Sequence, residues 1–434
     1  MKRIALISHG CAKNLVDSEL MLGLLSENGY EITLDETSSD IVIVNTCSFI
    51  HDAERESVDS ILELINAGKK VIIAGCLAQK HGEELKKAIP EISALVGTTD
   101  FTELVNVIKK IENGEEYIEK VSSQPKYIYP ENIKRQQITV GSSSYIKIAD
   151  GCNYRCGYCI IPYLRGDYHS RKMEDIISEA KELADKGVTE IILIAQDTTG
   201  YGIDLYNKPM LAELLRKLNK IENLGWIRVM YAYPTQMNDE LLCTIAECDK
   251  VVKYVDIPLQ HSHPDMLKRM NRPAFDYVPM IENIRKRIPD VAIRTAFIVG
   301  YPGETEEEFN HLYDFVKKMK FNKMGVFEYS REKGTSSYSM KPQVSKKVMN
   351  QRYKKLMELQ QEISLEINKG FIGKTIPCII ESFTDDGYVA ARSQNDAPEV
   401  DGVVYIKTDK PVVPGDIELV KITGCDEYDL TGVI

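Results

Sequence analysis

The sequence has no apolar run approaching the ~18–20 residues that a membrane span needs. Its first ten residues are too short and interrupted for a signal peptide. The expectation is therefore a cytoplasmic protein with no membrane partner. An excess of basic residues is missing too: 65 Asp and Glu against 54 Lys and Arg give a net charge of -11. That balance disfavours a protein whose main task is coating nucleic acid. The composition of a disordered tail is also absent, because 43% apolar and 27% charged residues are near the average for globular proteins. At ~100–200 residues per domain, 434 residues predict two to four domains. Ten cysteines remain to be explained. With no export signal they should stay reduced, where thiol clusters bind metal or catalyse.

From Lys2 onward, strand and helix patterns alternate, as in an α/β domain with a parallel sheet. Ile4–Ile7, Ile41–Val44 and Val71–Ala74 are short, β-branched runs suited to buried parallel strands. Helical patterns follow at Asp17–Ser26, Ala53–Asn66 and Glu83–Ala88. This first domain, a three-layer α/β unit, spans 1–120. Residues 121–144, with two prolines and the Gly141–Ser144 run, read as a linker. A second domain over 145–369 carries six candidate strands: Tyr145–Ala149, Glu190–Ala195, Trp226–Tyr231, Lys253–Ile257, Ala292–Val299 and Lys323–Tyr329. Six βα units suggest a partial (β/α)6 barrel, with a doubly wound sheet as the alternative. A long amphipathic helix, Ser345–Lys369, follows as a strut, with Gly370 as its stop. Residues 370–434 hold short β pieces at Thr375–Ile380, Gly402–Ile406 and Ile417–Ile422, the pattern of a small antiparallel β-barrel. Twelve acidic against five basic residues give that segment a net -7, most of the acidity of the chain.

The strongest chemical signal is Gly151-Cys152-Asn153-Tyr154-Arg155-Cys156-Gly157-Tyr158-Cys159, a C-x3-C-x2-C spacing after the first strand of the second domain. Three thiolates can hold three irons of a four-iron cluster and leave one iron open. A zinc site short of a ligand is the alternative. The spacing is similar to that of the radical S-adenosylmethionine superfamily. That resemblance implies that the open iron chelates the amino and carboxylate groups of S-adenosylmethionine, that reduction yields a 5'-deoxyadenosyl radical, and that Tyr158 lies against the adenine.

A second triad is dispersed. Cys11, Cys47 and Cys76 each fall just beyond one of the three apolar runs. Strand ends of a parallel sheet share one edge, so these thiols can converge there; chance burial of small cysteines is the alternative. Ser8–Glu19, Asn45–Ile50 and Gly75–Gln79 resemble the three cysteine motifs of the methylthiotransferase family. The resemblance implies a second 4Fe-4S cluster on Cys11, Cys47 and Cys76, a radical S-adenosylmethionine domain after it, and a closing TRAM barrel. Cys11-Ala12-Lys13-Asn14 and Cys47-Ser48-Phe49-Ile50 are closer to the ribosomal-protein branch, the RimO type, than to the tRNA branch, although Ala12 replaces its proline. Pro398–Gly402 and Asp426–Asp429 are similar to that branch as well. An acidic barrel suits a basic ribosomal protein and repels tRNA phosphates.

Other strand ends carry Gln196-Asp197, Pro258-Leu259-Gln260-His261 and Gly300–Thr305. By the resemblance, Gln196, Asp197, Gln260 and Gly300 approach S-adenosylmethionine; turn chemistry is the alternative. Thr305 and Glu308 read as a helix capping box, and His261 and His263 as loop polarity. Cys243, Cys248, Cys378 and Cys425 have no cluster spacing. By the same resemblance, the expected activity is methylthio transfer to the β-carbon of an aspartate in the small-subunit ribosomal protein of the decoding centre. S-adenosylmethionine serves there as radical source and methyl donor, and a reductant protein serves the clusters. The rivals are a tRNA adenosine methylthiotransferase, and a non-catalytic iron-sulfur carrier or RNA-binding adaptor.

Overall fold

The structure, a computed structural model, describes residues 2–48, 51–127, 129–130, 134–138 and 141–434, and only the backbone of His51 and Asp52. Phe49 and Ile50 of the second cysteine motif, and 128, 131–133 and 139–140 of the expected linker, lie outside the described residues. The chain divides into two compact units. One comprises 1–140, 149–155 and 159–169; the other comprises 141–148, 156–158 and 170–434.

In the first unit, β1 (Arg3–Ser8), β2 (Glu31–Thr33), β3 (Ile41–Thr46), β4 (Lys70–Gly75), β5 (Ala94–Val96) and β6 (Ile118–Lys120) form one sheet in the order β2-β1-β3-β4-β5-β6. Every pairing is parallel. The three apolar runs are the adjacent strands β1, β3 and β4, and β3 is buried along its whole length. Burial on both faces explains why these strands read as continuous runs rather than alternations. The helices are α1 (Ala12–Glu27), α2 (His51–Asn66), α3 (Cys76–Ala88) and α4 (Leu104–Glu112). On one face, Ile61 and Leu64 of α2 and Leu77 and Leu85 of α3 pack on Val42, Val44, Val71 and Ile73.

Two of these helices start earlier than their apolar periodicity suggests. Cys11 is the N-cap of α1, and Cys76 is the first residue of α3, which kinks at His81. The opening turns carry polar or small residues, so periodicity alone does not register them.

The described part of 121–138 is laid along α1 rather than left as a free tether. The Gln136 N–H donates to Glu19 O (3.1 Å), the Ile138 N–H to Glu19 Oε1 (3.0 Å), and Arg135 pairs with Glu19 in the interior (2.9 Å). A Cβ on Gly23 would stand 2.0 Å from Lys134 O. The crossing segment therefore requires glycine inside α1, a position where glycine ordinarily costs a helix about 1 kcal/mol.

The second unit holds β7 (Ser143–Lys147) and six strands' worth of alternation. The stretches of the first unit that interrupt it carry β8 (Ala149–Asp150) and α5 (Ile161–Arg165), and β9 (His169–Ser170) lies at the boundary. In the second unit, β7 is followed by α6 (Met173–Asp185), β10 (Glu190–Ile194), α7 (Ile203–Tyr206), α8 (Leu211–Leu218), β11 (Trp226–Val229) and α9 (Asp239–Glu247). Then come β12 (Tyr254–Asp256), α10 (Pro264–Arg269), α11 (Tyr277–Arg287), β13 (Ala292–Val299), α12 (Glu306–Met319), β14 (Lys323–Glu328) and α13 (Lys346–Lys369). Parallel strands β7, β10 and β11 form one sheet, and β12, β13 and β14 another. A parallel bridge pairs Ile227 of β11 with Val251, which precedes β12. The order follows the sequence, neighbour to neighbour, which is the course of a partial (β/α)6 barrel. The expected first strand is cut short at Lys147, and the Lys253–Ile257 strand narrows to three residues. Ser345 caps α13 by accepting from the Val348 N–H, and the helix buries Leu356, Leu359 and Ile363.

At the end of the chain, β15 (Thr375–Phe383), β16 (Val389–Ser393), β17 (Val404–Lys407), β18 (Ile417–Cys425) and β19 (Leu430–Val433) close a barrel in the order β15-β16-β17-β19-β18. The expectation of an antiparallel barrel needs one correction: β17 and β19 pair in parallel. A closed ring of five strands cannot alternate direction at every step, so one parallel pairing is unavoidable.

This barrel seats its polar residues on the amino-terminal ends of the larger barrel's strands. Glu190, at the start of β10, takes Arg228 (2.8 Å) and Arg392 (2.5 Å). Asp401 takes the Tyr254 hydroxyl (2.6 Å) and Arg294 (3.5 Å), and Asp396 takes Lys323 (2.6 Å). Part of the -7 therefore faces inward against cations.

Candidate functional site

Because β1, β3 and β4 are neighbours, their carboxyl ends abut, and Cys11, Cys47 and Cys76 all follow those ends. Gly10 makes the approach possible. Its φ is +95°, and a Cβ there would lie 2.6 Å from Cys47 Cβ and 2.9 Å from Cys47 Sγ. The flanking motif residues lace the ends together. Asn14 Nδ2 donates to His9 O (3.0 Å) and Thr46 O (2.9 Å); Asn45 Nδ2 donates to Asn14 O (2.9 Å) and Ser18 Oγ (2.8 Å). Thr46 Oγ1 donates to Ala74 O (2.6 Å) and accepts from the Leu77 N–H (3.2 Å).

Cys47 and Cys76 are buried, whereas Cys11 sits at the rim, crowded by protein on one side and open on the other. Burial pushes the Cys76 thiol up to about 12, against the pull of Arg165, with the neighbouring Cys11 and Cys47 adding to the rise. Burial also pushes Cys11 up, but Lys13, Arg165 and two backbone N–H groups outweigh it and hold that thiol below its ordinary value.

Sequence reasoning missed Arg165, the last residue of α5. It is buried, and its Nη1 donates to Asp17 (2.7 Å) and Asp150 (2.9 Å). Its Nη2 donates to Asn14 Oδ1 (2.5 Å) and reaches 4.0 Å from Cys76 Sγ. Ile160 and Leu164 pack against Cys76 beside it. One signal was available: an isolated cation directly after the apolar stretch Ile160–Leu164.

The loop of Cys152, Cys156 and Cys159 is divided between the two units. On the first, Gly151 (φ +78°) lets the backbone pass Asp167, whose oxygen would lie 2.1 Å from a Cβ. The Cys152 N–H donates to Gly166 O (3.1 Å), and Arg155 donates to Cys152 O (2.8 Å) and Asp167 (2.9 Å). On the second, the Gly157 N–H donates to Met270 O (2.8 Å) and Gly157 O accepts from the Ser337 N–H (2.9 Å). Tyr158 packs on a cluster of Met266, Met270, Ile298, Tyr301, Tyr329 and Met349. Arg272, buried over the Tyr233 ring at 4.7 Å, is a further cation in the electrostatic range of Cys156.

The remaining predicted residues stand at strand ends of the second unit. Asp197 Oδ1 accepts from the Thr199 N–H (2.9 Å), Thr199 Oγ1 (2.5 Å) and the Gly200 N–H (3.1 Å), so that oxygen shapes the turn after Gln196. Gln260 (φ +71°) extends the β12–β13 ladder through both backbone groups. Gly300 (φ +76°) leaves room for Met349 Cγ, 2.3 Å from a would-be Cβ, and donates its N–H to Glu304 (2.5 Å). Tyr231, after β11, is also left-handed (φ +63°). Left-handed non-glycine residues at successive strand ends put backbone strain where active sites of such barrels lie.

His261 is not loop polarity, as its sequence context suggests. It is fully buried, with Nε2 3.2 Å from Glu304, which also binds Arg352 (2.6 Å). Burial lowers its pKa against the pull of Glu304. His263 caps α10, and the Thr305–Glu308 capping box is present.

Among the described residues, no three His, Cys, Asp or Glu stand together as ligands of a single metal ion. A four-iron cluster asks for something else, one thiolate per iron. Two cysteine triads, each with a buried arginine nearby, have the donor chemistry for that.

Known proteins agree with this architecture. Residues 3–97 match the model described as "Uncharacterized protein family UPF0004", 146–316 the Radical SAM superfamily, and 372–434 the TRAM domain. Among solved structures, TsrM of Kitasatospora setae, a radical S-adenosylmethionine methyltransferase, aligns with a TM-score of 0.58 at 16% identity, over 89% of this chain and 79% of that one. The cobalamin-dependent radical enzyme OxsB aligns with a TM-score of 0.52 at 12% identity, over 83% and 56%. At these identities the likeness concerns the fold alone. Among curated proteins, "Ribosomal protein uS12 methylthiotransferase RimO" of Thermoanaerobacter sp. (strain X514) is 50% identical over 439 residues, all of both chains. The protein of the same name from Rippkaea orientalis (strain PCC 8801 / RF-1) is 49% identical over 430 residues, 98% of this chain and 95% of that one. With half of its residues shared along the whole length of such a relative, the chain belongs to the RimO family of ribosomal protein uS12 methylthiotransferases.

Proposed function

We propose that this protein inserts a methylthio group into ribosomal protein uS12, at the β-carbon of an aspartate. The observation that carries the reading is the pair of cysteine triads, one at a sheet edge and one in the Gly151–Cys159 loop, in a chain of this family. Cys152, Cys156 and Cys159 would hold one 4Fe-4S cluster, and Cys11, Cys47 and Cys76 the other. When bound, the first with S-adenosylmethionine supplies removal of hydrogen from an unactivated carbon, and the second supplies the sulfur. The chain's own residues do the rest. Gly10, Asn14, Asn45 and Thr46 hold the thiols of the sheet edge in register, and Gly151 and Gly157 admit tight loop crossings. Tyr158, Gln196, Asp197, Gln260 and Gly300 would line the S-adenosylmethionine side, Asp197 and Gly300 chiefly by fixing backbone turns. Such preorganisation is what a protein contributes when a cofactor carries the difficult step.

Domain limits at 1–120, 145–369 and 370–434 go with this division of labour. The terminal barrel would engage basic segments of uS12 through its outward carboxylates, Asp385, Asp386, Glu399, Asp409 and Asp426, all exposed. Asp396 and Asp401 are held inward and contribute little to that face. A reductant protein would supply electrons, and the setting is cytoplasmic; no helix among the described residues is long and apolar enough to cross a membrane.

The test offers the anaerobically reconstituted protein, with reductant and S-adenosylmethionine, either uS12 or tRNA, read by mass spectrometry. A methylthio mass increase on uS12 alone is expected. Modification of tRNA alone would overturn the substrate assignment.

A further inference from the structure

We propose that Arg165 is a positioning residue that sets the reduction potential of the group held by Cys11, Cys47 and Cys76, which rests on the reading of those cysteines as ligands. The guanidinium fork is fully oriented. The two N–H bonds of Nη1 are taken by Asp17 (2.7 Å) and Asp150 (2.9 Å), and one of Nη2 by Asn14 Oδ1 (2.5 Å). That leaves the second N–H of Nη2 for Cys76 Sγ, at 4.0 Å. Asn14 is itself tied to the Cys11 and Cys47 loops through His9 O and Thr46 O. The arginine therefore keys into the same hydrogen-bond lacing that brings the three thiols together.

The anchoring argues that the cation is placed for the sulfur rather than for folding alone. A buried arginine satisfied by one carboxylate and a carbonyl would serve stability; two carboxylates and an amide fix its plane as well. A thiolate-ligated cluster is anionic, and donors or cations beside its sulfurs raise its potential by favouring the more negative, reduced state. Asp17 and Asp150 oppose that effect. The potential should thus answer in opposite directions to loss of the cation and loss of a carboxylate.

The experiment uses the full chain bearing Cys152→Ala, Cys156→Ala and Cys159→Ala, reconstituted so that only the Cys11, Cys47 and Cys76 site can load. Its midpoint potential is read by mediated titration with electron paramagnetic resonance. Arg165→Gln should shift the midpoint to more negative values, Arg165→Lys by less, and Asp17→Asn to more positive values. A merely structural arginine would leave the midpoint unmoved, or let both kinds of variant shift it the same way, and either result overturns the proposal. If Arg165→Gln fails to fold, Arg165→Lys decides, and an unmoved midpoint there overturns the proposal. Absence of iron in the parent triple variant would overturn the ligand reading, and the proposal with it. Iron present with unmoved potentials would overturn the proposal alone.

Discussion

Gly10 sets how closely the backbone before Cys11 can approach Cys47. Alanine there must adopt φ +95° and place its Cβ 2.6 Å from Cys47 Cβ. Left-handed strain alone costs roughly 1–2 kcal/mol, and the clash adds to it. Gly10→Ala should therefore lower the thermal midpoint and cut iron bound to the Cys11, Cys47 and Cys76 site, measured by metal analysis after reconstitution; full iron loading would contradict the geometry. The strand-end positions of Cys11, Cys47 and Cys76 were legible because each follows an apolar run directly in the sequence, whereas the left-handed turn at Gly10 was not read there. Arg165 was not, since its partner Asp17 lies 148 residues away. His261 misled for a related reason: its buried partner, Glu304, is 43 residues away, and nothing nearby distinguishes a buried histidine from a loop one.

Helices α1, α2 and α3 hold that edge, and two consequences follow from their packing. Replacing a helix-interior glycine by alanine normally stabilises by about 1 kcal/mol, yet Gly23→Ala should destabilise, because its Cβ would strike Lys134 O at 2.0 Å. A raised unfolding midpoint would show that 134–138 does not lie on α1. Between α2 and α3, Glu54 contacts Lys80 (2.7 Å) and His81 (3.4 Å). Hydrogen bonding to Glu54 raises the His81 pKa. Burial pushes Glu54 up, but bonds from His81, Lys80 and Ser48 bring it down to about 2. The His81 contribution is thus full below its unfolded value of about 6.5 and is lost as pH rises through its raised folded value. The Glu54 contribution is full above its unfolded value of about 4.3 and fades toward about 2. His81→Gln should flatten the fall in thermal stability on the alkaline side and also shrink the acid limb, because Glu54 loses the largest of the bonds that lower its pKa, as calorimetry across pH would register. Strands β1, β3 and β4 were readable as apolar runs. Strands β2, β5 and β6 have three residues each and leave no run to read.

Across the whole chain, alternation pointed to the parallel sheet, to six βα units that fit a partial barrel or a doubly wound sheet, and to the terminal β-barrel. The parallel β17–β19 closure was invisible, because strand direction in a short all-β segment depends on how the ring closes. Charge was legible in amount but not in direction: Asp396 and Asp401 count toward the -7 yet face Lys323 and Arg294. Removing one partner from a buried ion pair typically costs 3–5 kcal/mol. Glu190→Ala, which takes a carboxylate from Arg228 and leaves Arg392 with Glu381, should accordingly loosen the terminal barrel and raise its susceptibility to limited proteolysis, whereas unchanged digestion would mean that the buried charges do not hold the two barrels together. The central claim is that two separate cysteine triads divide radical generation from sulfur delivery. It is tested most directly by measuring S-adenosylmethionine cleavage and methylthiolation of uS12 side by side in Cys152→Ala and Cys76→Ala proteins. Loss of both activities in Cys152→Ala, with cleavage retained and methylthiolation lost in Cys76→Ala, is the predicted result; cleavage surviving in Cys152→Ala, or methylthiolation surviving in Cys76→Ala, would contradict it.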